Sequence, residues 1–77
     1  MPNYNEQKME DAVLALLGAS EFEDGRVWKR FPFAIMEALH AKGLISDPRG
    51  KTESVYLTTT GMKAAKQLAD RLFSATP

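Results

Sequence analysis

The stretch that decides the fold runs Ala38-Leu39-His40-Ala41-Lys42-Gly43-Leu44-Ile45, Ser46-Asp47-Pro48-Arg49-Gly50-Lys51-Thr52-Glu53, Ser54-Val55-Tyr56-Leu57-Thr58-Thr59-Thr60-Gly61. It predicts the end of one helix, a two-stranded hairpin and the start of another helix. Gly43 closes the first helix, because a residue without a Cβ enters the left-handed cap conformation at little cost. Leu44–Ser46 and Ser54–Leu57 are the expected strands. Asp47-Pro48-Arg49-Gly50 joins them: Asp suits the first corner of a turn, Pro presets φ, and Gly suits the fourth position. The turn is expected at Asp47–Gly50 or slightly beyond. Thr58 or Thr59 then offers a hydroxyl to the free amides of the following helix.

That last helix, beginning near Thr59–Gly61, carries Met62, Ala65, Leu68, Ala69, Leu72 and Phe73 at a spacing that makes a broad apolar face. Part of this face, namely Leu68, Leu72 and Phe73, is the candidate interface with a second copy; packing of the whole face on the first helix is the alternative. Upstream of Gly43, a helix is expected from about Pro32 to Lys42, with proline in its first turn, where the missing amide hydrogen costs nothing. Ile35, Met36 and Leu39 form its buried stripe, and Phe31 or Phe33 packs at its entrance. Ala34, Glu37, His40 and Ala41 face outward.

The segment Glu21–Arg30 combines a tight-turn signal, Asp24-Gly25, with the strand-like Val27-Trp28. The simplest placement makes Arg26–Trp28 an edge strand beside the hairpin. Trp28 is either an exposed anchor for a partner or, the commoner use of tryptophan, a plug between sheet and helices. The first helix is capped by Asn3 or Asn5, and Asn3 with Glu6 has the spacing of a capping box. Met9, Val13, Leu16 and Leu17 recur at helical spacing with Ala12 beside them, and Gly18 is read as the stop.

Seventy-seven residues make a single domain over 1–77, near the size at which one hydrophobic core barely suffices. There is no cysteine, hence no disulfide and no thiolate metal site. The longest apolar run, Ala12–Gly18, is too short to span a bilayer and follows acids rather than the basic residues of a secretory signal. These features lead us to expect a cytoplasmic protein with no membrane partner. Ten cations balance ten acids, yet the charge is unevenly spread. Residues 1–25 set six acids against Lys8, whereas residues 26–51 set six cations against Glu37 and Asp47. Such asymmetry marks either a side facing a polyanion or two solvated faces that differ by chance.

The segment Leu-x-x-Lys-Gly-Leu-Ile, with a Pro-Arg-x-Lys turn and then Val-x-Leu-Thr-x-x-Gly, resembles the wing region of MarR-type winged-helix regulators. The whole chain more closely resembles a family of small uncharacterised bacterial proteins, through Ala-Val-Leu-Ala-Leu-Leu (12–17), Gly-Arg-Val-Trp-Lys (25–29), Gly-Leu-Ile-Ser-Asp-Pro-Arg-Gly-Lys (43–51) and Ser-Val-Tyr-Leu-Thr (54–58). The expected fold is therefore α+β and mainly helical: a winged-helix-like domain of helix, short strand, helix, β-hairpin wing and helix. The resemblance implies that Arg49 and Lys51 sit on the wing tip, where regulators of this type touch phosphate. The chain departs from those regulators by having room for only one good helix between Gly18 and Gly43, so the supporting helix is absent or reduced to a turn. The expected recognition helix carries two alanines, one acid and one histidine outward, a poor surface for reading base edges.

An enzyme is not expected. No nucleophile stands beside a base, no glycine-rich phosphate loop is present, and His40 is the sole histidine. Accordingly no cofactor, metal or small-molecule substrate is expected; His40 reads as an exposed helical histidine favourably placed at a helix C-terminus. Two functions remain. One is a regulator-like protein that binds double-stranded DNA with weak sequence preference through phosphates, using Arg49, Lys51, Lys29, Arg30 and Lys42, with Arg26 on the same side. The other is a homodimeric protein–protein interaction module with no nucleic-acid binding. Convergence of those cations on one face favours DNA, and their dispersal favours the module.

Overall fold

A computed structural model of the chain describes residues 4–23 and 25–75. In chain order it contains α1 (Glu6–Ala19), β1 (Arg26–Trp28), α2 (Phe33–Ala41), β2 (Ser54–Tyr56) and α3 (Thr59–Phe73). This is a small, mainly helical α+β domain. β1 and β2 pair antiparallel in the register Arg26↔Tyr56, Val27↔Val55 and Trp28↔Ser54. The two strands are not consecutive in a hairpin, because α2 and the loop after it lie between them.

The helix ends follow from local chemistry. Asn5 caps α1, its side chain accepting the amide hydrogen of Lys8 at 3.0 Å. Asn3, the other expected cap, and Asp24 of the turn signal lie outside the described residues. α2 ends in the bond pattern of a Schellman cap: Gly43 has φ +75°, its amide donates to His40 O, and the Leu44 amide donates to Leu39 O. Thr58 caps α3 by accepting from the Gly61 amide at 2.9 Å, while its own hydroxyl donates to Gly43 O at 2.7 Å. One threonine thereby ties the start of α3 to the end of α2.

The core is built from Val13, Leu14 and Leu17 of α1, Met36 and Leu39 of α2, Val27 and Val55 of the sheet, Ile45, Leu57 and Ala65. α1 packs chiefly on α3 and also touches α2 and β1. Four sequence expectations change here. Gly18 does not stop α1, which continues to Ala19. Instead it faces Ala65, where a Cβ would come within 2.7 Å of the alanine methyl. The buried face of α1 is turned toward Leu14, Ala15 and Gly18, leaving Met9, Ala12 and Leu16 exposed. Ile35 packs against the core but is only half-buried, so Met36 and Leu39 carry the fully buried part of the α2 stripe.

The fourth change concerns the hairpin. Leu44–Ser46 does not form a strand of its own; Ile45 makes an isolated antiparallel bridge with Leu57. Beside it the Ser46 amide donates to Tyr56 O, but the Tyr56 amide is taken by the Ser46 side chain at 2.9 Å, which interrupts the ladder. Residues 46–53 form a wide loop instead of a tight turn. Asp47 accepts the Arg49 amide at 2.9 Å, a local Asx bond, and the loop closes onto β1 through the Lys29 amide, which donates to Glu53 O. Between α1 and α2 no helix is present among the described residues.

Candidate functional site

The cations expected to meet phosphate can be followed one by one. Lys29, just past β1, donates its ammonium to Pro48 O at 2.7 Å and Gly50 O at 2.8 Å, so it acts as the clasp of the 46–53 loop. Arg49 reaches Glu37 of α2 at 3.2 Å and lies 3.9 Å from Asp47. Lys42, at the end of α2, turns to α1 and engages Glu10 and Gln7. Arg26 pairs with Glu23 at 2.7 Å and donates from Nε to Ser54. Arg30 lies over the Trp28 ring, 5.2 Å from its centroid, and Lys51 is exposed in the loop. Neither of these two has a carboxylate partner among the described residues.

Lys29 and Arg49 do come together. They flank a shallow groove of about 410 Å³ between the loop and the entrance to α2, walled by Phe31, Phe33, Met36 and Pro48. Four charges and a histidine meet near it. The carboxyl of Asp47 is held below the usual aspartate range, first by the Arg49 amide and then by the charges of Arg49, His40 and Lys29. His40 is half-buried, not the free helical histidine expected, and its Nδ1 lies 3.0 Å from Ile45 O. A carbonyl can only accept, so Nδ1 carries the proton and donates. Lys42 turns instead to Glu10 and Gln7 of α1 and does not line this groove.

The expected interface residues sit on the outer part of α3. Gly61 and Ala65 are its buried positions, Leu68 is half-buried, and Leu72 and Phe73 are 52 % and 47 % exposed. The face that packs inward at Gly61 and Ala65 thus continues toward the C-terminus in side chains only partly covered by their own chain. Leu72 lies on that face by helical spacing, seven residues after Ala65.

A second surface was foreseen only at Trp28, one of whose two readings was an exposed anchor; its aromatic and arginine neighbours were not. Val27 and Val55 are buried in their strands, while Trp28 and Tyr56, each next in sequence, are exposed on the opposite face. The outer face of the sheet therefore presents Trp28 and Tyr56, 44 % and 51 % exposed, with Phe22 packed on the indole at a centroid distance of 4.9 Å. The expectation that Trp28 plugs the core is overturned, because Val27 fills that place. Arg26 lies over Tyr56 at 5.7 Å as Arg30 lies over Trp28. The signal was present in the alternation Arg26-Val27-Trp28 and Ser54-Val55-Tyr56, where an aliphatic centre sends the aromatic after it outward.

Nothing in this geometry builds a metal centre: no three His, Cys, Asp or Glu side chains converge among the described residues. Nor is any described helix long and apolar enough to cross a membrane. Against known proteins, residues 5–75 match the family described as Domain of unknown function (DUF6429). The chain belongs to this family. A family relative, the uncharacterized protein y4hR of Sinorhizobium fredii, is 41 % identical over 70 residues, covering 91 % of this chain and 95 % of the relative. No solved structure matches the chain.

Proposed function

We propose that this domain is a winged-helix-like protein–protein interaction module that pairs with a second copy of itself through the outer end of α3. The winged-helix-like reading rests on the order helix, strand, helix, bridge and strand, helix, with the 46–53 loop in the place of a wing. One observation carries the functional reading: the inward face of α3 continues into Leu72, with Phe73 at its border, and its own fold leaves both half exposed. A helix face that is apolar beyond the reach of its intramolecular partners is suited to a partner from outside. Sedimentation velocity over tens to hundreds of micromolar, the order at which weak pairs form, tests this. Wild type is expected to sediment as a dimer, and Leu72→Glu with Phe73→Ser as a monomer of unchanged helical content. A wild-type monomer throughout that range overturns the proposal.

Double-stranded DNA is the second reading, supported by Arg30 and Lys51, which no carboxylate among the described residues engages. Arg26, Lys42 and Arg49 are paired with acids of the same chain, and Lys29 is held by loop carbonyls. Any phosphate must compete with those contacts. Titration with random duplex at low salt separates the readings. If DNA binds through Arg30 and Lys51, replacing both with alanine lowers the salt slope by roughly 0.9 for each phosphate that is no longer neutralised. Absence of binding by wild type removes DNA as a function.

A further inference from the structure

The outer face of the sheet contains the same constellation twice. Arg26 lies over Tyr56 and its guanidinium meets the carboxylate of Glu23 at 2.7 Å. Arg30 lies over Trp28 in the same manner, and no carboxylate of the described chain reaches it. A guanidinium laid over an aromatic ring keeps its in-plane N–H groups directed sideways, where they fit a carboxylate. Glu23 shows that arrangement completed from within the chain. The register places the two pairs side by side, since Arg26 is opposite Tyr56 and Trp28 opposite Ser54.

We infer that the Arg30–Trp28 pair, with Tyr56 beside it, is a docking surface for an acidic segment of a partner protein. A partner carboxylate takes the guanidinium edge of Arg30, and an apolar side chain next to it covers the exposed parts of Trp28 and Tyr56. Tryptophan, tyrosine and arginine are the residue types that most often anchor protein interfaces, and here they form one patch. A stacked nucleobase fits less well: the indole is already met by Phe22 and by Arg30, while the guanidinium edge is open. The inference rests on the reading of the domain as an interaction module but uses a different face from the end of α3.

Trp28 is the sole tryptophan, so its emission reports occupancy of the patch directly. The probes are a degenerate peptide pool with Glu or Asp alternating with apolar residues, a matched pool with Gln or Asn in place of the acids, and oligothymidylate. The acidic pool is expected to perturb the emission saturably, the neutral pool to bind about tenfold more weakly, and Arg30→Gln to weaken the acidic pool by about tenfold, as when a hydrogen bond to a charged group is removed. Arg30→Lys should recover only part of that affinity, because a point charge lacks the planar fork. No response to the acidic pool, equal response to the neutral pool, equal binding by Arg30→Gln, or preference for oligothymidylate overturns the inference. Sedimentation of the same variants keeps the two proposals apart: Arg30→Gln should leave the dimer intact, and the Leu72–Phe73 variant should retain peptide binding.

Discussion

Gly61 has no side chain, and the backbone of Leu44 occupies the space where one would begin. A Cβ there would overlap the Leu44 carbonyl oxygen and come within 2.7 Å of its carbon. Backbone held by two helix caps cannot move aside easily, so Gly61→Ala is expected to cost about 3 kcal/mol in urea unfolding, the upper range for overpacking. Glu21 gives a prediction in pH. Its carboxylate accepts the Gly25 amide at 2.8 Å and faces Lys66 at 3.2 Å, and these contacts, the amide first, hold its pKa below the ordinary glutamate value. A depressed folded pKa stabilises the fold above the unfolded value, and the contribution is lost as pH falls through the folded one. Glu21→Gln should therefore be less stable than wild type at neutral pH, with the difference closing on acidification in paired denaturation curves. A constant difference across that range would show that the charge is not responsible.

At the scale of elements, the 46–53 loop depends on a residue far from it in sequence. Replacing Lys29 with methionine removes two hydrogen bonds to loop carbonyls while leaving the β1 backbone pairing in place. We expect a loss of about 1.5–3 kcal/mol, typical of a hydrogen bond to a charged group, and faster amide exchange in the loop, with β2 little affected. The same residue shows where sequence reading stops. The helices were legible because spacing and caps are local: Gly43 and Thr58 act as their chemistry implied. The face of α1 was less so, since the run from Ala12 to Gly18 is apolar nearly all round and its period does not say which side turns inward. Leu44–Ser46 read as a strand by composition. Whether it pairs, however, was set by the Ser46 hydroxyl taking a ladder amide and by Lys29 drawing the loop aside. At the candidate sites, the cations were legible as charges but their partners were not. Lys42 finds Glu10 across 32 residues and Arg49 finds Glu37 across 12, pairings that only the packed helices create.

The whole molecule is thin for its length, with principal extents of 40 × 38 × 18 Å. In so thin a body, covering part of the surface with a partner adds a substantial share of the buried area. If the end of α3 is that surface, dissociation and unfolding are coupled by mass action. Each tenfold increase in concentration above the dissociation constant then adds about 0.7 kcal/mol per protomer, or roughly 3–6 °C in Tm for a domain of this size. Calorimetry over two such steps checks this, and a Tm independent of concentration would leave the domain standing alone.

The pairing of β1 with β2 also bears on how the chain folds. A hairpin closes a few residues and can form early by itself. Here Arg26 must find Tyr56 with the whole of α2 lying between them. The entropy of closing that loop is met before any strand bond rewards it, which places sheet formation late among the folding events. Once closed, the sheet and α2 confine one another. Weakening Val27 should therefore act mainly by hastening unfolding, with little effect on the rate of folding.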